Sequence, residues 1–219
     1  MTEWRKHAER EAARYRDGEA RLPEAVDDDA RQRQLTRMGN AAAGAGLAHL
    51  MSGDAEKARE WFKRAVEQYR ESFPLAPPGS WGRPIAIVKA RILAGDWAGA
   101  EADSGWTLEQ GAAAAESPIG RYAGCLALLV LGRDDEARVL ADGLRTSSDF
   151  PSEVGDALAM LAAEDPVGYI EAIEAVLESF ETREEFLEDL PAADTVMVLQ
   201  ALAARRNMAA ELSSNLLPA

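Results

Sequence analysis

One cysteine, two histidines and four lysines are what this 219-residue chain has least of, and each scarcity removes a class of function. Cys125 has no second cysteine for an internal disulfide, and inside the apolar run AGCLALLVLG it reads as a buried structural thiol in a reducing compartment. His7 and His49 stand apart, with no His or Cys at ligand spacing, so no metal site is assigned. A Gly-x-Ser-x-Gly elbow is missing, and neither catalytic residues nor a cofactor are assigned. The 24 basic residues are outnumbered by 38 acidic ones, and a net charge of −14 repels polyanions, which excludes nucleic acid and acidic membrane surfaces as partners. No apolar run approaches the ~20 residues of a membrane helix, and the charged start MTEWRKHAER lacks a signal core, so the expected location is cytoplasmic. Arg greatly exceeds Lys and Ala is abundant, which fits a high-GC or salt-loving host.

Clusters of β-branched and aromatic residues are equally sparse, and the apolar spacing is three to four along most of the chain. Residues 58–73 are the clearest case, with Ala58, Phe62, Ala65, Tyr69 and Phe73 on one stripe of a helix. Breaks followed by capping residues at Gly53–Asp54, Gly95–Asp96, Ser117–Pro118 and Asp165–Pro166 divide the chain into about ten helices. The longest break is PLAPPGSWGRP at 74–84, where Pro and Gly predict a loop. The glycine-rich string GNAAAGAG at 39–46 has no preceding strand and no following Lys and Ser or Thr, so it predicts close helix packing instead of a phosphate loop.

The segment GLAHLMSGDAEKAREWFKRAVEQY carries Gly46 at a small position of a first helix, Gly53 and Asp54 at a turn, then Ala58, Phe62 and Ala65 in the second helix. It resembles the tetratricopeptide repeat. Weaker copies run through IVKARILAGDWAGAEADSGW and YAGCLALLVLGRDDEARVLADGL, with turns at Gly95 and Gly132, 42 and 37 residues after the preceding ones; a regular array repeats every ~34. Ser104 and Thr107 replace an apolar pair in the second copy, and a fourth, LAMLAAEDPVGYIEAIEAVLESF, has Glu164 where Gly stood. The resemblance implies an all-α fold: a right-handed stack of antiparallel helical hairpins in one domain, 1–219. An N-terminal helix and linker (1–30) and a C-terminal helix and tail (181–219) close the hairpins of 31–180.

Function follows from that architecture by analogy. The leading expectation is a non-catalytic interaction module, monomer or homodimer, whose groove accepts an acidic peptide or helix of a partner protein. Arg83, Lys89, Arg91, Arg121 and Tyr122 are its candidate contacts, since cations and an aromatic ring suit charge-assisted bonds and stacking. The alternative is an acidic inhibitor or immunity-type protein that neutralises a basic toxin or nuclease through Glu184, Glu185, Glu188 and Asp189, read at helical spacing. An enzyme or small-ligand carrier ranks last.

Overall fold

The computed structural model describes residues 3–218; Met1 and Thr2 of the N-terminal segment and Ala219 of the tail lie outside the described residues. Every regular element among the described residues is helical. In chain order they are α1 (Glu3–Arg21), α2 (Asp28–Met51), α3 (Ala55–Ser72), α4 (Gly82–Leu93), α5 (Trp97–Glu109), α6 (Pro118–Val130), α7 (Asp134–Arg145), α8 (Ser152–Ala162), α9 (Pro166–Glu181) and α10 (Asp194–Ala204). Short 3-10 turns lie at Leu22–Glu24, Phe73–Leu75, Ala112–Ala114 and Leu187–Asp189. The described helices include none long and apolar enough to cross a membrane.

The starts of α2, α3, α6 and α9 follow the capping chemistry. The carboxylates of Asp27, Asp54 and Asp165 accept from the amides of Ala30, Lys57 and Gly168 at 2.7, 3.2 and 3.1 Å, and the Ser117 hydroxyl accepts from the Gly120 amide at 3.3 Å. The stretch 74–84 is less open than its Pro and Gly residues predict. A helical turn covers its start, and α4 begins at Gly82 with Pro84 in its first turn, where the missing amide has no intrahelical acceptor to lose.

A single closure recurs at the ends of α2, α4, α6, α8 and α10. The residues at 53, 95, 132, 164 and 207 have left-handed φ angles of 80°, 69°, 68°, 52° and 57°. Each donates its amide to the carbonyl three residues back, and the next amide reaches five back, as in Asp54 to His49 at 2.9 Å and Asp165 to Met160 at 3.0 Å. This is the Schellman arrangement that satisfies the last carbonyls of a helix. Three of the five positions are Gly, while Glu164 and Asn207 adopt the same conformation with a side chain.

The chain groups into two compact units: α1 to α4 with residues 185–192 and 217–218, and α5 to α10 with the remaining stretches. In the first unit α2 packs between α1 and α3, and α3 packs on α4. Close approach rests on absent side chains, since a methyl built on Gly39 would lie 2.7 Å from the Tyr69 ring and one on Gly46 2.8 Å from the Phe62 ring. The glycines of GNAAAGAG are thus interior packing positions of α2, far from any helix start. In the second unit α5 to α9 pack each on the next, and α10 lies against α8 and α9. The tail docks there, with the Gln200 side chain bonded to both backbone groups of Ala210 and the Ala193 amide donating to the Leu216 carbonyl at 2.9 Å.

Candidate functional site

On α3 the stripe Ala58, Phe62, Ala65, Val66 and Tyr69 is buried, which turns Arg59 and Lys63, one helical turn apart, to the edge of that stripe. On α4 the buried stripe includes Ala90, and Arg91 and Ala94 flank it. The two helices leave between them a slot of about 250 Å³, floored by Phe62, Ala90 and Ala94 and rimmed by Arg59, Lys63, Arg91 and Asp96. Arg91 donates through Nη1 to Asp96 Oδ2 at 2.6 Å. Arg59 and Lys63 are exposed and form no ion pair among the described residues. An apolar floor under two unpaired cations, on a strongly acidic chain, suits an apolar side chain flanked by carboxylates.

Of the cations expected in a groove, Arg91 lines this slot. Arg83 instead joins three helices: its Nε donates to Ser72 Oγ at 2.8 Å, its Nη2 donates to Gln32 Oε1, and burial pulls its pKa down. Lys89 is half-buried on α4 and engaged in its own contacts. In the second unit Arg121 donates Nε to the Ala115 carbonyl at 3.3 Å, and Tyr122 is buried, its ring centroid 5.3 Å from that of Phe150. Arg59 and Lys63 escaped the sequence reading, because their i,i+4 spacing on α3 looks like any solvated helix face until α4 is laid beside it.

The acidic residues of 181–194 do not share a helix face. The reading at helical spacing is overturned, because α9 ends at Glu181, only a short turn follows, and Glu188 and Asp189 take left-handed φ angles of 55° and 53°. Glu184, Glu185 and Asp189 are exposed, whereas the Glu188 side chain is largely covered within the first unit. There Arg14 Nη1 donates to Glu188 Oε2, Arg10 Nη2 to the Glu188 carbonyl, and Asn40 Nδ2 to Glu188 Oε1 at 3.1 Å. The same two arginines hold the fully buried carboxylate of Glu11 at 2.7 and 2.8 Å. Two cations and two carboxylates balance, so the cluster tolerates burial.

The second unit carries an acid-lined groove of about 600 Å³ between α8 and α9, with Glu153, Asp156 and Glu171 on its walls and Arg145 Nε paired to Asp156 Oδ1 at 2.8 Å. It also holds Cys125, whose thiol is fully buried and pushed up to about 12 by that burial, the opposite of a reactive cysteine. Among the described residues no three His, Cys, Asp or Glu side chains gather at metal-ligand range. Comparison of the chain with models of known families, with curated proteins and with solved structures gives no match.

Proposed function

We propose that the protein is a non-catalytic helical-repeat interaction module of tetratricopeptide-like type, and that the slot between α3 and α4 takes an acidic segment of a partner protein through one apolar anchor. The observation that carries this reading is the rim itself: Arg59 and Lys63 stand unpaired beside Arg91 over an apolar floor. The matching closures of α2, α4, α6 and α8, each leading into the second helix of a hairpin, support the repeat architecture. A chain of net charge −14 repels an acidic peptide at long range, but at physiological salt charges beyond roughly 8 Å are screened and the local rim decides.

Fluorescence anisotropy with a labelled peptide of alternating Glu and Leu, and with its Lys-for-Glu counterpart, tests the reading. The acidic peptide binds, salt weakens it, and Arg59→Glu with Lys63→Glu lowers affinity at least tenfold while the fold stays intact by circular dichroism. Equal affinity for both peptides, or no effect of the double reversal, overturns the slot as the site. A second reading, neutralisation of a basic partner, draws on the acid-lined α8–α9 groove; preference for the Lys peptide, lost on Glu153→Lys with Glu171→Lys, would select it.

A further inference from the structure

Residues 185–192 make an excursion into the first unit between two stretches that belong to the second. What holds them is unlike ordinary core packing. Glu188 is gripped at both carboxylate oxygens and at its carbonyl, by Arg14, Asn40 and Arg10. Two residues on, Leu190 is 3% exposed in a pocket of Ala8, Ala48 and Trp4, and it fits because Gly44 has no side chain: a methyl there would lie 3.0 Å from Leu190 Cδ1. The receiving surface is built from regular stripes of two helices, Trp4, Ala8 and Glu11 on α1 with Asn40, Gly44 and Ala48 on α2. The bound segment has only a single turn of its own, and it carries two consecutive left-handed residues with side chains, a conformation that costs free energy wherever a Cβ is present.

A charged-and-apolar groove built on two regular helices and holding a strained, irregular segment is the arrangement of a receptor with its ligand. We propose that the groove between α1 and α2 is a second peptide receptor, for a partner segment with an acidic residue followed two positions later by leucine, and that residues 185–192 are its resident ligand in cis. The site is separate from the α3–α4 slot, and neither depends on the other. The tethered segment acts at a high effective concentration, so a partner displaces it only with an advantage. A glycine at the position of Asp189 supplies one, because glycine takes φ near +53° without the Cβ clash.

The test uses the full chain and two labelled peptides, EFLEDLPA and its variant with Gly in place of the second acidic residue of LED. In the wild type, millimolar peptide raises hydrogen exchange at 186–192, and the glycine peptide does so at about fivefold lower concentration, the ratio expected from relief of one left-handed residue. In the full chain with Glu188→Gln and Leu190→Ala, both peptides bind at least tenfold tighter than to the wild type, and adding Arg14→Glu removes that binding. Arg59→Glu with Lys63→Glu leaves it unchanged, which separates this groove from the slot. A folded Glu188→Gln, Leu190→Ala chain that binds no peptide overturns the proposal. So does wild-type exchange at 186–192 that saturating peptide leaves unaltered, and this measurement decides alone if the double variant does not fold.

Discussion

The Tyr69 hydroxyl donates to Asn40 Oδ1 at 2.7 Å, and this bond turns the Asn40 amide nitrogen toward Glu188. An aromatic residue of α3, packed over Gly39 of α2, thereby sets which end of Asn40 faces a carboxylate. Tyr69→Phe keeps the ring on Gly39 and removes only the hydroxyl. The expected cost is about 1 kcal/mol in urea denaturation, the usual worth of one buried hydrogen bond, together with faster hydrogen exchange at 186–192. Unchanged exchange there would show that Asn40 holds its orientation without the tyrosine.

Gly46→Ala and Gly105→Ala place the same methyl in opposite surroundings. At Gly46 it would meet the Phe62 ring at 2.8 Å, whereas at Gly105, inside α5, nothing lies within 4 Å. Overpacking costs about 1–3 kcal/mol and alanine recovers up to about 1 kcal/mol of helix propensity. Denaturant melts should show a net loss for Gly46→Ala and a gain of about 0.5–1 kcal/mol for Gly105→Ala.

Glu164 is exposed, with φ 52° at the turn where the other hairpins carry Gly. A left-handed residue with a Cβ costs about 1–2 kcal/mol, and glycine returns part of that relief through its freer unfolded chain. Glu164→Gly should therefore stabilise the second unit by about 0.5–1 kcal/mol, read as a higher melting temperature. A lower one would mean that the Glu164 side chain supports the turn.

Burial lowers the pKa of His49 below its ordinary 6.5, against the pull of Asp54, whose Oδ2 lies 3.8 Å from Nδ1. The unfolded chain then binds the proton more readily than the folded one. Stability is complete above the unfolded value and is lost as pH falls through the lower folded value. His49→Gln should flatten this acid limb as pH falls below the ordinary histidine value of 6.5, measured as urea midpoints along a pH series. An unchanged limb would assign the loss to other groups.

The all-helical character, the breaks at Gly53, Gly95, Ser117–Pro118 and Asp165–Pro166, and the packing role of GNAAAGAG are all legible in the order of residues alone. Each is a local matter: hydrophobic period, capping chemistry and the smallness of a side chain act within one or two turns of the chain. Even Glu164, which departs from the repeat pattern, keeps the left-handed turn, because the closing carbonyls of α8 need those amides whatever residue supplies them. Pro84 misleads at the same local level, since a proline forbids a helix interior and is tolerated in its first turn.

The sites belong to the other category. Arg59, Lys63 and Arg91 form one rim only because α3 and α4 pack with those edges adjacent, and Arg83, of the same chemistry a few residues away, is spent on Ser72 and Gln32. Glu188 meets Arg10, Arg14 and Asn40 across about 150 to 180 residues of sequence. The sequence by itself determined that the chain is helical, where most of its helices break and which faces are apolar, because those properties arise from neighbours along the chain. The tertiary structure decided which charges are paired, which are left facing a slot, and which segment returns to fill a groove, because electrostatics and packing act through space and depend on how whole helices are laid against one another.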